Sequence, residues 1–315
     1  MITKIKQWLI RILPPKVIDF LRNIRASFRI RYLRQTRIKV TEAQILNDLK
    51  KLGIKRGDII FVHSSLKSIG FVESGPETVI NALMEIIGSE GTLVMPCFSL
   101  QGSMVETLES DLIFDPQKTP STVGAIPEAF RKRPGVSRSI HPTHSVCAWG
   151  LKAKCITEEH ERASTNFGPG TPFYKIMEEG GFILGLGVDF GPITFVHAIE
   201  DILEEFPLKV YLNKEYTARI IDYDGRLKEM KVRAHDPKVA KTRIDQEEGR
   251  WIRNFFTNYL TAKGFLRSGF VGEARCWIIK AKDLFEAQKG LVRQGITVYT
   301  TREQYENSAQ KVNFK

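Results

Sequence analysis

The chain has 315 residues, of which 42% are hydrophobic and 26% charged, and its formal net charge is +11. This length suits one large domain or two modest ones, and the composition is that of an ordinary globular protein. We expect neither a transmembrane helix nor export, because no apolar run is long enough to span a bilayer and the first residues lack the features of a secretory signal. The four cysteines show no metal-binding or redox spacing, which favours reduced thiols in a cytoplasmic protein.

The positive charge is concentrated at the amino terminus. Residues 1–40 hold eleven Lys and Arg against one acidic residue, so residues 41–315 are close to neutral. The near-neutral body argues against a nucleic-acid partner. Apolar residues of the first segment recur at helical spacing, which predicts a basic amphipathic helical arm over 1–40 and a catalytic body over 41–315. Such an arm is typical of peripheral contact with an anionic membrane, and equally of packing on the body or in a homodimer.

The first two thirds of the body alternate between helices and strands, which predicts an α/β fold with a mixed central sheet flanked by helices. The strand at 58–62 is apolar without alternation, so it should be central and buried on both faces. The predicted helices lie at 41–52, from Ser74 onward, at 121–131 and at 195–205, and the other strands at 91–96 and 181–188.

The pattern changes at about residue 209. Short strands at 210–212, 216–221 and 228–233, separated by turns at 213–214 and 222–226, predict an antiparallel β insertion in the C-terminal third. A helix at 246–260, a strand at 274–279 and a helix at 282–289 should follow.

Three polar clusters carry histidine and lie at predicted strand ends or turns, where a rigid frame commonly presents an active site. They are His63-Ser64-Ser65-Leu66, the segment 141–145 and the segment 194–200. Ligands of open α/β sheets bind beyond the carboxyl ends of the strands. In the third cluster His197 and Glu200 are three residues apart and share a helix face. They are suited to an oriented acid–imidazole pair or to half of a metal site.

The order of five motifs resembles the aminoglycoside 3-N-acetyltransferase family from about Thr41 to about Thr300. The motifs are H-S-S-L-x-x-x-G, T-P-S-x-x-G, H-P-x-x-S, G-G-x-x-L-x-x-G-V and T-x-x-H-x-x-E. The resemblance implies acetylation of an amine from acetyl-CoA, with no metal. It implies the catalytic residues His197 as general base, with Glu200, Asp189 and His141, and the cofactor contacts His63, Ser64, Ser65, Leu66, Thr119, Ser121 and Ser145. The remaining histidines are expected to be bystanders: His144, His160 and His235.

The chemistry agrees with this assignment. An alkyl amine, with a pKa near ~10.4, is mostly protonated at neutral pH, so a base must remove a proton before or during attack on the thioester. His197 beside a carboxylate suits that role. No cysteine lies in a matched motif, which favours direct transfer in a ternary complex.

The acceptor we expect is an amino sugar, nucleotide- or lipid-linked and destined for a surface polysaccharide, because a basic arm would place the enzyme at the cytoplasmic membrane face. One alternative is an aminoglycoside acceptor and a role in antibiotic resistance. A second is a non-catalytic membrane-associated binding subunit. A third is a zinc-dependent amidohydrolase, in which His63 or His141 would complete a metal site.

Overall fold

A computed structural model describes residues 39–308 and residue 312. The predicted basic arm, residues 1–40, therefore lies almost wholly outside the described residues. None of the helices within 39–308 has the length and apolar character needed to cross a membrane.

The centre of the fold is a seven-stranded mixed sheet, in the order β4-β5-β2-β1-β6-β10-β9. Its middle strands run parallel and its outer strands antiparallel. The interior of β1 is wholly buried, which confirms the prediction made from its unbroken apolar run. The strands are β1 (Ile59–Ser64), β2 (Thr92–Pro96), β4 (Ser137–Arg138), β5 (Val146–Gly150), β6 (Phe182–Leu186), β9 (Arg267–Val271) and β10 (Ala274–Lys280).

Helices cover both faces of this sheet. Successive side chains of a strand point to opposite faces, and accordingly Phe61 belongs to one apolar core while Ile60 and Val62 belong to the other. The helices are α1 (Glu42–Lys51), α2 (Leu66–Ile69), α3 (Pro76–Ile87), α4 (Met104–Glu109), α5 (Ala125–Arg131), α6 (Ala153–Thr157), α7 (Pro172–Glu178), α8 (Ala198–Ile202), α9 (Pro237–Ala240), α10 (Arg250–Ala262), α11 (Ala281–Val292) and α12 (Arg302–Asn307). Short 3-10 turns lie at His160–Arg162 and Thr194–His197.

A second, three-stranded sheet contains the predicted insertion. The long strands β7 (Tyr211–Ile221) and β8 (Leu227–His235) pair antiparallel, and β3 (Ile113–Phe114) joins β7 in parallel. The predicted turn at 213–214 was wrong, because β7 runs through it with only a register shift between Tyr211 and Glu215. The turn at 222–226 forms as predicted, with the Asp222 carboxylate accepting the backbone N–H of Asp224.

Four predicted helix starts also need correction, and one of them is that of α10, which was predicted from residue 246 and begins at Arg250. Helix α3 begins at Pro76 behind Gly75 and shows no side-chain cap from Ser74, because proline fixes the first turn and restricts the residue before it. Helix α5 begins only at residue 125. The predicted helix at 195–205 is a 3-10 turn followed by the short α8, which ends at residue 202.

Candidate active site

His197 and Glu200 form the predicted pair at the junction of the 3-10 turn and α8. The Nδ1 atom of His197 lies 2.8 Å from Oε1 of Glu200. A carboxylate only accepts hydrogen bonds, so the proton of this contact is on Nδ1 and the Nε2 of the neutral imidazole carries a lone pair. His197 lines a cavity of about 530 Å³, so this lone pair is available to a bound molecule.

Glu200 receives two further hydrogen bonds from distant parts of the chain. His235, the last residue of β8, places Nε2 2.8 Å from Oε2, and the Tyr299 hydroxyl donates to Oε1 at 2.8 Å. Burial raises the pKa of Glu200, but the positive charge that His197 or His235 carries when protonated, together with the hydrogen bonds from both rings, outweighs burial and lowers the pKa overall. The carboxylate is therefore ionised at neutral pH, and its buried charge is fully hydrogen-bonded.

The cavity wall brings three histidines together. His144, His197 and His235 all line it. The ring of Phe167 packs 4.8 Å from His144 and 5.0 Å from His197, measured between ring centroids, and so holds them in place. Burial lowers the pKa of His144 well below its ordinary value, and neighbouring histidines lower it further. His144 and His235, predicted as bystanders, therefore belong to the site.

His63 contacts the segment that carries His197. It is buried near the end of β1, where its Nε2 accepts the backbone N–H of Thr194 at 3.4 Å. Burial lowers the pKa of His63 to about 3, so the ring is neutral. Because Thr194 opens the 3-10 turn that ends at His197, His63 is a positioning residue in the structure.

His141 shapes a turn. Its Nδ1 accepts the backbone N–H of Thr143 at 3.3 Å and that of His144 at 3.0 Å. Its ring stacks on His160 with the centroids 4.7 Å apart, and burial lowers its pKa to about 3. Of the histidines in this motif, the cavity wall of the described residues includes His144 and not His141. In this structure His141 therefore positions the turn that carries His144, and its catalytic role stays a prediction.

Asp189 does not orient His197. Its carboxylate accepts the backbone N–H of Gly191 at 2.9 Å and pairs with Arg253 at 2.8 Å, and its side chain is 61% exposed. These bonds tie the loop after β6 to α10. The orienting carboxylate of the site is Glu200.

The residues assigned to the cofactor fall into two groups, of which the first has uncommitted hydroxyls. The Oγ atoms of Ser64 and Ser121 are buried and have no hydrogen-bond partner among the described residues. Ser65 accepts a hydrogen bond from Ser68 at 2.9 Å, and Leu66 begins α2. A buried hydroxyl without a partner is costly, so these positions fit a bound polar ligand.

The second group is committed to the protein. Thr119 accepts the backbone N–H of Asp115 at 2.8 Å and does not cap a helix. The Ser145 hydroxyl donates to the carbonyl of Cys97 at 2.7 Å and accepts from the buried Arg138 at 3.1 Å. Both residues hold loops of the site, and their role as cofactor contacts stays a prediction.

The arrangement also bears on the zinc hypothesis. One potential ligand atom each from His197, Glu200 and His235 lie within 4.8 Å of one another. However, both imidazoles already direct an N–H at the carboxylate, and neither His63 nor His141 belongs to this group. We therefore interpret His197, Glu200 and His235 as a hydrogen-bonded network and not as a metal site.

Sequence reasoning missed His235 and Tyr299. Each lies far from Glu200 along the chain, and no local motif marks either of them. Their only signal was position, since His235 ends a strand of the insertion and Tyr299 follows the last long helix, α11.

Comparison with known proteins identifies relatives over most of the chain. A family model described as aminoglycoside 3-N-acetyltransferase matches residues 61–292. Aminoglycoside N(3)-acetyltransferase VII of Streptomyces paromomycinus is 29% identical over 264 residues, covering 78% of this chain and 89% of that protein.

Two solved structures extend the comparison. Aminoglycoside acetyltransferase AAC(3)-Xa superposes with a TM-score of 0.72 at 29% identity, covering 83% of this chain and 95% of that one. The binary of AAC-IIIb with CoASH superposes with a TM-score of 0.70 at 25% identity, covering 82% and 98%.

Proposed function

Since the chain belongs to the aminoglycoside 3-N-acetyltransferase family, and is an N-acetyltransferase with acetyl-CoA as cosubstrate, we propose that it acetylates a primary amine of an aminoglycoside. His197 is the general base. The observation that carries this proposal is the His197–Glu200 pair on the wall of the 530 Å³ cavity. The relatives' names favour an aminoglycoside, and they give no support to our first expectation, a sugar of surface polysaccharide synthesis.

The pair accounts for the chemical step by direct transfer. The amine nitrogen attacks the thioester carbonyl carbon, and His197 Nε2 takes a proton from that nitrogen as the new C–N bond forms. The C–S bond then breaks, and the CoA thiolate recovers the proton from the imidazolium. Ionised Glu200, 2.8 Å from Nδ1, stabilises the imidazolium between these steps.

Acetyl-CoA also has a candidate set of contacts. The unpartnered hydroxyls of Ser64 and Ser121 support a role in binding its polar groups. Ser64 is the last residue of β1 and Ser121 lies on the segment before α5, which fits a ligand beyond the carboxyl ends of the parallel strands.

The test is turnover of gentamicin with acetyl-CoA, followed through the free thiol of released CoA. We expect His197→Ala to lose about 10²–10⁴-fold in kcat/KM, the usual contribution of a general base, while binding CoA as the wild type does in calorimetry. Glu200→Gln should lose activity as well. The exposed Glu204 offers the matched control, because Glu204→Gln makes the same chemical change outside the pair.

Two results would overturn the proposal. Near-wild-type turnover by His197→Ala would show that His197 is not the general base. Failure of the wild type to acetylate gentamicin, kanamycin and apramycin would show that the acceptor is not an aminoglycoside.

A further inference from the structure

We propose that His235 is a second base at this site, which takes the first proton from the acceptor's ammonium group while His197 takes the second. This inference rests on the proposed function, since it concerns how an amine acceptor is activated. It gives a catalytic role to a residue that no sequence motif marks.

Counting protons shows that the acceptor must lose two of them during the reaction. An alkyl ammonium ion has no lone pair, so one proton must leave before the nitrogen can attack. A second must leave after attack, because the nitrogen of the tetrahedral adduct is again positively charged. Transfer to the CoA thiolate consumes one of these two protons, and the other must reach solvent.

The structure supplies two imidazoles with matching orientation. His197 uses Nδ1 and His235 uses Nε2 to donate to opposite oxygens of Glu200, both at 2.8 Å. Since the carboxylate only accepts, the lone pairs of the neutral rings are on His197 Nε2 and His235 Nδ1. The ring centroids lie 4.8 Å apart, and both residues line the cavity. From this closeness on one cavity wall we infer that a bound amine nitrogen can approach both rings in turn.

The groups around His235 favour its neutral form. Its ring stacks on Tyr211 with the centroids 4.7 Å apart, and Glu200, His197, His144, Asp201 and Arg243 are the other titratable or charged groups that interact with it. Burial lowers the pKa of His235, while Glu200 raises it and His197 and Arg243 lower it. A ring that is neutral at pH 7 can accept a proton from a bound ammonium.

The reaction balances as follows. His235 Nδ1 accepts one proton from the ammonium, which leaves a neutral amine. That amine attacks the thioester carbon, and His197 Nε2 accepts the second proton. The C–S bond of the adduct then breaks, and the departing CoA thiolate takes up the proton that His197 removed from the nitrogen. The His235 imidazolium releases its own proton to solvent.

The decisive experiment is the pH dependence of kcat/KM for gentamicin in His235→Gln. The glutamine amide can still donate to Glu200, but it is not a base. We expect a loss on the order of 10²–10³-fold at pH 7. The loss should then shrink tenfold with each pH unit towards the pKa of the amine, because bulk water must now remove the first proton. The wild-type profile should instead be level at pH values at which His235 is neutral.

Tyr299→Phe is the matched control. It removes a hydrogen bond to the same carboxylate, yet burial raises the pKa of Tyr299, so this residue offers no base near pH 7. We expect it to lower the rate while keeping the wild-type plateau. If His235→Gln also keeps the plateau, then His235 only positions Glu200 and the inference is overturned.

A second measurement separates this inference from the proposed function. In protein with ¹⁵N-labelled histidine at pH 8, nitrogen shifts should show a protonated Nε2 and an unprotonated Nδ1 on His235, with the reverse on His197. A protonated Nδ1 on His235 would overturn the second base. Absent turnover of any aminoglycoside would instead overturn the acceptor, and the labelled spectrum needs no acceptor.

Discussion

Lowering the pH from 7 to 5 is expected to destabilise this protein through its buried histidines. The folded-state pKa values of His63 and His141 are about 3, against an ordinary value of 6.5. Between these two pKa values the unfolded chain binds protons that the folded chain does not bind. The free energy of unfolding therefore falls as the pH drops below 6.5. Linkage gives about 2 kcal/mol for each of the two residues between pH 7 and 5, hence about 4 kcal/mol together.

Urea unfolding monitored by circular dichroism at pH 5, 6 and 7 measures this directly. Glu128 has its pKa lowered to about 2, mainly by the hydrogen bond from Arg131, so its stabilising effect is lost only below this window. In His63→Gln, whose amide oxygen can accept the Thr194 N–H, the pH dependence should fall by about 2 kcal/mol, and the lowered pKa values of His141, His144, His160 and His235 should account for what remains. A change below about 1 kcal/mol in the wild type would refute the reasoning that these rings are buried and neutral.

Three further outcomes follow from the structure. Ser64→Ala combined with Ser121→Ala should raise the KM for acetyl-CoA several-fold at nearly unchanged kcat for gentamicin, and an unchanged KM would remove both from the CoA site. Asp189→Asn should leave the pH profile of turnover unaltered, because its carboxylate bonds to Gly191 and Arg253; a shifted profile would return it to the catalytic set. We propose that the arm, residues 1–40, binds anionic membrane surfaces, since it carries +10 of the +11 formal charge. Full-length protein should sediment with anionic vesicles at low salt, while a chain starting at Thr41 should remain in the supernatant with equal turnover of gentamicin.

Local sequence patterns predicted the central part of this fold well. The apolar run of β1 and the helical spacing of apolar residues in α1 and α3 predicted which residues are buried, because each of these patterns is contained within a single element. The failure at residues 213–214 has the opposite origin. Asn213 and Lys214 have the composition of a turn, but they lie in a β-bulge between Tyr211 and Glu215, which pair with His235 and Arg233 of β8, and this pairing on either side keeps the chain in one strand.

For the site too, the sequence predicted only the contacts between residues that are close along the chain. His197 and Glu200 are three residues apart, so their contact follows from local geometry. The other donors to Glu200 come from β8 and from the segment after α11, and only the packing of the insertion against the main domain brings them together. The family resemblance assigned His141 to catalysis and Ser145 to the cofactor; in the structure His141 Nδ1 accepts two backbone N–H groups, and the Ser145 hydroxyl donates to the carbonyl of Cys97.

There is a physical reason why the sequence predicted the His197–Glu200 contact but not the other donors to Glu200. A buried carboxylate such as Glu200 is stable in its charged form only if several donors meet it, and one short helix supplies only one of them. The remaining donors must come from elsewhere in the chain, so the complete site forms only with the tertiary fold. His235 is then constrained twice, since one ring nitrogen must satisfy Glu200 while the other is left to the cavity. A glutamine at position 235 could meet the first requirement but not the second, which is why that substitution separates support of the carboxylate from acceptance of a proton.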